Sequence, residues 1–366
     1  MKVLHFYKTS LPQSVGGVEV FLDTLCNSTA NLGVENTILS LATKPEKNPI
    51  QFRNYKIVHA KQNLFIASTG ISISAFRIFK QLASNADIIH YHFPNPFADI
   101  LHFTCKPNKP TLVTYHSDII KQKFLVKLYK PLMQRFLASV DRIIATSPNY
   151  FATSDTLATF KDKVNIIPIG IDKQIYPQVN SERIDYWQQR LPKPFFLFIG
   201  AMRYYKGLHI ALDAIKGTNH QLVLAGKNYI ETKIKENQLS NLHLLGPISN
   251  EDKVALLNLC HAFVFPSHLR SEAFGVALLE AAAYGKPMIS CEIGTGTSYV
   301  NIHDQTGLVI EPASADKLRQ AMQHLLENTS EAAKFGTNAK KRYQELFTAE
   351  KQAQAYVEVY EDLLKR

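Results

Sequence analysis

The sequence predicts an α/β protein built from two doubly wound, Rossmann-like domains, and three observations carry that prediction. Short apolar strands alternate with helical stretches from one end to the other, the pattern of parallel sheets covered by helices on both faces. At 366 residues the chain is long enough for two domains of ordinary size. A polar segment from Asp172 to Pro194 holds Pro177, Pro192 and Pro194 and no clear strand, so it reads as the linker. The expected domains are 1–175 and 193–348. Ligands of such sheets bind outside the carboxyl ends of the strands. The two domains are therefore expected to face each other across a cleft.

Taken in order, the strands of the first half are read at Val3–Tyr7, Thr37–Leu41, Lys56–Val58, Ile88–Tyr91, Thr111–Tyr115, Arg142–Thr146 and Val164–Ile167. Those of the second half are Phe195–Ile199, Gln221–Ala225, Leu242–Leu245, Ala262–Phe265, Pro287–Cys291 and Gly307–Ile310. Pro266 closes one of them, and the Ala- and Leu-rich run from Val276 to Tyr284 follows as a helix. From Glu331 the tail reads as two helices broken near Phe347-Thr348. The last of these carries Tyr356, Val357, Tyr360, Leu363 and Leu364, which need an apolar surface to dock on.

Hydrophobic residues at 46% and charged residues at 20% are globular proportions, so disorder is excluded as the default. The net charge of +10 suits nucleic acid, an anionic membrane surface or an anionic substrate, and does not choose among them. Of four cysteines, none forms a C-x-x-C pair; Cys26, Cys260 and Cys291 lie in apolar stretches and read as reduced core residues. The opening Met1 to Lys8 turns polar too soon for a signal peptide. No apolar run approaches the roughly 20 residues of a membrane-spanning helix. A cytoplasmic protein is expected, attached at most to the inner face of the membrane.

The loops at the strand ends carry the chemistry. Between Ser271 and Glu280 two carboxylates, Glu272 and Glu280, stand in an E-x7-E spacing with Gly275 near a helix start. A helix start offers unpaired N–H groups and a positive dipole end to an anion. Carboxylates beside such a site suit a ligand with one anionic part and one hydroxyl-rich part, as in a nucleotide sugar; a helix cap plus a solvated Glu is the plain alternative. Past the strand ending at Ile199, Gly200 and Gly207 bracket Arg203 and Lys206, a fork and a point charge suited to a diphosphate. Gly226, then Pro247 and Ile248, end two further strands and are read as pocket walls around a base. Gly294-Thr295-Gly296-Thr297-Ser298 is expected to supply N–H and hydroxyl donors.

In the first half, Gly16 and Gly17 precede an apolar helix and let a backbone approach a ligand closely, although a plain tight turn fits equally. They do not form G-x-G-x-x-G, so a nicotinamide site gains little support. His116 ends a strand, where it can orient a hydroxyl or shuttle a proton, with His90 and His92 as competitors for that role. From 119 to 140 runs a helix mixing Lys121, Lys123, Lys127, Lys130 and Arg135 with Phe124, Leu125, Leu128, Leu132 and Phe136; Pro131 kinks it or starts a second helix. It suits either anionic lipid or packing on its own sheet. Nucleic acid is not expected, because no recognised binding module accompanies the charge.

Gly16-Gly17, His116-Ser117-Asp118, Ile169-Gly170-Ile171-Asp172, Gly200…Arg203…Lys206-Gly207 and Glu272-Ala273-Phe274-Gly275…Glu280, in that order, resemble the retaining glycosyltransferases of family 4, which have the GT-B fold. The resemblance spans nearly the whole chain. It implies that Arg203 and Lys206 hold the donor diphosphate and that Glu280 binds the ribose. Glu272 would sit beside the donor sugar, with backbone contacts from Phe274, Gly275 and Val276. Gly16 and Gly17 would approach the phosphates, His116 would contact the sugar near the reacting carbon, and the last helix, 349–366, would return to the first domain. No metal or other cofactor is implied, since the two cations take that place, and no Asp-x-Asp cluster stands on a cleft loop.

Two positions depart from the pattern: Ile169 replaces a frequent Asn, and Gly294-Thr295-Gly296-Thr297-Ser298 lacks the carboxylate of a frequent Gly-Gly-x-x-Glu. The wording around Arg270-Ser271-Glu272 and Glu292-Ile293-Gly294 is similar to bacterial mannosyl- and deoxyhexosyltransferases of surface polysaccharides. The resemblance thus implies a GDP-mannose-type donor and a lipid-linked or lipopolysaccharide-type glycan acceptor. A UDP-sugar donor, a 2-epimerase and a non-catalytic nucleotide-sugar or glycan-binding protein are the rival readings.

Overall fold

A computed structural model describes residues 1–119, 123–227 and 239–365, apart from the side chains of residues 123 and 124. The chain divides into two units, Met1–Gly170 together with Ala349–Arg366, and Ile171–Thr348.

The first unit contains β1 (Lys2–Phe6), β2 (Glu35–Ala42), β3 (Ile50–Phe52), β4 (Tyr55–Lys61), the hairpin β5 (Leu64–Ile66) and β6 (Thr69–Ile71), β7 (Ile88–Phe93), β8 (Thr111–Tyr115), β9 (Arg142–Ala145) and β10 (Val164–Ile166). Its main sheet runs β10-β9-β8-β7-β1-β2-β4-β3, parallel except for β3 against β4. From β1 the chain steps outward to β2 and β4, then returns to lay β7 on the other side of β1. The order therefore reverses between β1 and β7, the place where such sheets open a crevice. The helix Ala349–Leu364 packs on this unit: Tyr356 and Tyr360 are fully buried, with Tyr356 edge-on to Phe21 at 6.1 Å. Phe21, on the helix Gly17–Ala30, is part of the apolar surface on which the last helix docks these rings.

The second unit holds β11 (Phe195–Ile199), β12 (Gln221–Ala225), β13 (Leu242–Gly246), β14 (Ala262–Phe265), β15 (Met288–Cys291) and β16 (Gly307–Ile310), ordered β13-β12-β11-β14-β15-β16 and parallel throughout. Its order reverses between β11 and β14. Phe195, Phe196, Leu197 and Phe198 are all buried because helices cover both faces. Removing such side chains from water is worth about 1.5–3 kcal/mol each. Cys26, Cys260 and Cys291 are free and buried, as their apolar settings predict.

Three expectations change. The segment 172–194 is no bare linker: it belongs to the second unit and contains the helix Ser181–Gln188, started by Asn180 accepting from the Glu182 N–H at 2.9 Å. Arg183 Nε and Trp187 Nε1 both donate to Asp252, at 2.5 and 2.8 Å, which fastens the helix. The division falls at Gly170/Ile171 rather than at 175, because the Gly170 N–H donates to Gln352 while the Ile171 N–H donates to the Phe347 carbonyl. Pro131 starts no second helix: Lys123–Ser139 is one helix with the proline inside it. Lys121 lies outside the described residues, as do the side chains of residues 123 and 124. Among the described residues, no helix is long and apolar enough to cross a membrane.

Candidate functional site

In the second unit the loops after β11 and β14 flank the reversal of strand order. Gly200 leaves β11, and Arg203 stands exposed where the short 3-10 turn Tyr204–Lys206 begins. Gly207 has φ +71°, and a Cβ there would lie 2.0 Å from the Pro266 carbonyl oxygen, so the two loops meet backbone to backbone. That approach sets Lys206 against Glu272. Their ammonium and carboxylate form an ion pair with side chains only 13% and 11% exposed. Ser267 Oγ also donates to Glu272 Oε2, at 3.3 Å, and the Lys206 ammonium sits 4.5 Å from the centre of the Phe265 ring. A cation in such poorly solvated surroundings acts strongly on a neighbouring charge.

Gly275, at φ +89°, starts the helix Val276–Ala283, and no side chain caps that start. Phe274 is buried, edge-on to Phe347 at 6.2 Å, which leaves its backbone to line the loop. Inside the helix, the buried Glu280 accepts from Tyr176 Oη at 2.6 Å and from Lys253 Nζ at 2.8 Å, both on Oε1. Burial, and then the Glu280 carboxylate, push the Tyr176 phenol well above its ordinary range, so it stays a donor. Each glutamate of the E-x7-E spacing thus carries its own lysine. Sequence reasoning missed Tyr176, Lys253 and Ser267. Tyr176 and Lys253 stand 104 and 27 residues from Glu280, too far for a local signal. Ser267, in contrast, lies only five residues before Glu272, just past the proline that closes the strand.

Gly226, at φ +144°, is accounted for by packing: a Cβ there would fall 2.0 Å from the Gly200 carbonyl oxygen, and its N–H donates to Gly246 at 2.7 Å. Pro247 is exposed and Ile248 half-buried at the carboxyl end of β13. The Gly294–Ser298 loop corrects its expectation, since most of its donors are taken up internally. The Gly296 N–H donates to Ala273, Thr297 Oγ1 to the Cys291 carbonyl, and both the Gly294 N–H and Ser298 Oγ to Glu292. Gly296 packs so closely that a Cβ would meet Phe274 at 2.6 Å. A separate cavity lined by Pro194, His261, Lys286 and Pro287 opens at the amino ends of β11, β14 and β15, away from these loops.

In the first unit, Gly16 caps the helix Gly17–Ala30 at φ −151°. Glu19 in its first turn accepts from Thr9 Oγ1 at 2.8 Å and Ser14 Oγ at 2.9 Å, folding the Gly-Gly loop over the helix start. His116 is 8% exposed at the end of β8, edge-on to Phe21 at 4.8 Å. It sits at the mouth of a buried histidine cluster. His116 Nε2 meets His92 Nδ1 at 3.2 Å, His92 Nε2 meets His5 Nδ1 at 3.2 Å, and His5 Nε2 meets Asn36 Oδ1 at 3.0 Å. His90 stacks on His92 at 4.3 Å and bonds Tyr360 Oη and Thr114 Oγ1 at 2.8 and 2.7 Å.

Burial pulls the pKa of His116 down to about 3 and that of His5 to about 4, and holds His90 and His92 well below the ordinary value. All four rings are neutral at physiological pH. Among the described residues, His5, His90 and His92 are the group close enough to hold a metal ion. Their six ring nitrogens already have protein partners, however, so the cluster is closed rather than open to an ion. His5 and Asn36 escaped sequence reasoning, although His90 and His92 share one face of a strand by their two-residue spacing, and His5 pairs with His90 in register.

Residues 182–342 match the family described as glycosyl transferases group 1, and residues 15–175 match glycosyltransferase family 4. The chain is 52% identical over 353 residues to the D-rhamnosyltransferase WbpZ of Pseudomonas aeruginosa, covering 95% of this chain and 93% of that protein. It is 44% identical to the O-antigen chain mannosyltransferase C of Escherichia coli, covering 100% and 99% respectively. Among solved structures, the sucrose-phosphate synthase of Thermosynechococcus elongatus superposes with a TM-score of 0.81 at 21% identity, over 100% of this chain and 99% of that one. Anabaena HepE in complex with UDP superposes at 0.76 and 18% identity, over 99% and 100%. At those identities the superpositions speak for the fold alone, and the fold is GT-B.

Proposed function

The chain belongs to the family 4 glycosyltransferases, and from that premise we propose that it moves a hexose of the mannose or 6-deoxymannose series, with retention, from a GDP-sugar to a lipid-linked or lipopolysaccharide-type glycan. The observation that carries this reading is the Lys206–Glu272 pair, sheltered from water where the strand order of the second unit reverses. Likeness to a D-rhamnosyltransferase and to an O-antigen mannosyltransferase supports the sugar series and the acceptor class.

In this reading Arg203 and Lys206 bind the diphosphate, the start of the helix Val276–Ala283 adds N–H donors, and Glu280 turns its second oxygen to the ribose. The bond between the anomeric carbon and the phosphate oxygen breaks, and the nucleoside diphosphate leaves with the electron pair. Cations fixed at that oxygen stabilise the transition state more than the ground state. The acceptor oxygen attacks from the same face, and its proton passes to the departing phosphate. Glu272 and His116 hold the sugar during the exchange, and Gly16-Gly17 leaves room for close backbone approach. Two cations make a divalent ion unnecessary.

Exposed Leu125 and Leu128, beside Lys127, Lys130 and Arg135, suit a lipid surface where the acceptor resides. Co-sedimentation with anionic vesicles tests that contact, and no binding would remove it.

The donor is tested by a thermal-shift panel of GDP, UDP, ADP and TDP with the matching sugars, in EDTA. Ligand that binds the native state alone must raise the melting temperature. A selective shift with GDP or GDP-mannose is expected. A selective UDP response would keep the transferase and discard the GDP donor, and silence across the panel would return the chain to a binding role.

A further inference from the structure

The histidine cluster has a built-in direction, and it begins at Asn36. Its Nδ2 faces three acceptors: the Cys26 carbonyl at 3.0 Å, Thr29 Oγ1 at 3.0 Å and the Val34 carbonyl at 3.3 Å. Thr29 Oγ1 gives its own hydrogen to the Leu25 carbonyl at 2.7 Å, so toward Asn36 it can only accept. Reversing the amide would press its oxygen against two carbonyls, so Oδ1 must be the atom that faces His5.

An amide oxygen only accepts, and a neutral imidazole has one donor and one acceptor nitrogen. The assignment then passes along the chain without a free choice. His5 donates from Nε2 to Asn36 Oδ1 and accepts on Nδ1; His92 donates from Nε2 to that Nδ1 and accepts on its own Nδ1. His116 then donates from Nε2 to His92 Nδ1. We propose that Asn36, His5 and His92 are positioning residues that fix His116 as the Nε2-protonated tautomer, leaving Nδ1 as a lone pair that accepts a hydroxyl hydrogen bond from the sugar.

The consequence for binding rests on the transferase reading above; the tautomer does not. His116 takes a hydrogen bond from a ligand rather than giving one, so the ligand group it selects is a hydroxyl rather than an ether or carbonyl oxygen. His90 stands beside the relay, bonded to Tyr360 and Thr114, and Thr114 Oγ1 in turn meets Tyr356 Oη at 2.8 Å. Its neutral ring adds no charge that would reverse the order.

The test is a long-range proton–nitrogen NMR spectrum of the full chain labelled with [15N]histidine, without substrate, with single His→Gln variants to assign the signals. Protonated Nε2 and bare Nδ1 are expected at His5, His92 and His116, unchanged between about pH 6 and 8, since burial keeps neutral rings far from titration. A protonated Nδ1 at His116, or averaging of its two nitrogens, would overturn the relay. Asn36→Leu removes the end of the chain and is expected to start such averaging at His116, three hydrogen bonds away; a folded variant with an unmoved His116 spectrum would count against the proposal. The wild-type spectrum decides the matter even where the variant fails to fold. A chain inactive with every donor but showing the expected tautomers would sink the transferase reading alone.

Discussion

Replacing Lys206 with methionine keeps most of the side-chain volume and removes the cation from Glu272. In the native chain that carboxylate is 11% exposed and holds two bonds, one to the ammonium and one to Ser267 Oγ at 3.3 Å. Removing one partner of a buried pair costs about 3–5 kcal/mol, because a poorly solvated charge is left behind. The Ser267 bond and the residual exposure reduce this to about 2–3 kcal/mol. The loss falls on the unit Ile171–Thr348, a domain size at which about 1 kcal/mol moves the melting temperature by roughly 2–4 °C. A fall of about 4–12 °C is therefore expected in ligand-free thermal unfolding followed by circular dichroism. The double variant Lys206→Met with Glu272→Gln removes both charges and is expected to recover most of that loss while remaining inactive in transfer. A single variant melting within about 1 °C of wild type would refute the reasoning, because no buried charge would then have been uncovered.

Gly207→Ala places a Cβ 2.0 Å from the Pro266 oxygen at a positive φ, so urea unfolding should report a loss above about 3 kcal/mol. Gly16→Ala, at an ordinary φ of −151°, puts a Cβ 2.5 Å from the Glu19 carboxylate and must shift it against its bonds from Thr9 and Ser14. It should cost about 1–2 kcal/mol, less than Gly207→Ala. Tyr176→Phe removes one of the two bonds that orient Glu280 and should weaken GDP binding severalfold in calorimetry, about 1 kcal/mol, with little change in kcat. Acid should destabilise the first unit. The folded pKa values of His116 and His5 lie near 3 and 4, below the unfolded value of about 6.5, so the unfolded chain protonates first. Their contribution is complete above about pH 6.5 and is lost as pH falls towards the folded values, at up to about 1.4 kcal/mol per pH unit for each ring. Unfolding free energies flat from pH 7 to about 5 would contradict the neutral cluster.

Much of this was legible in the sequence, for reasons that differ by element. The parallel strands were readable because both faces are buried, so that Phe195–Ile199 and Ala262–Phe265 are plain apolar runs. Strands β3, β5 and β6 were missed. Each is three residues long, and Leu64, Phe65 and Ile66 remain exposed, so no burial pattern marks them. Glu272, Lys206 and Gly275 could be placed on loops at strand ends, since local turn and helix signals position them. Their pairing could not, because Lys206 and Glu272 meet only through the Gly207–Pro266 backbone approach. His116 was found by its place at a strand end. The ring-to-ring chain behind it needs the register of β1, β7 and β8, which no single stretch encodes.

The central claim is best tested by incubating the chain with GDP-mannose, and separately with its 6-deoxy counterpart, a lipid-linked glycan acceptor and EDTA. The product's anomeric centre would then be read by one-bond carbon–proton NMR coupling. The account predicts metal-free transfer with the α-configuration of the donor kept, abolished in Arg203→Ala. A β-linked product, or transfer that appears only when a divalent ion is restored, would contradict it.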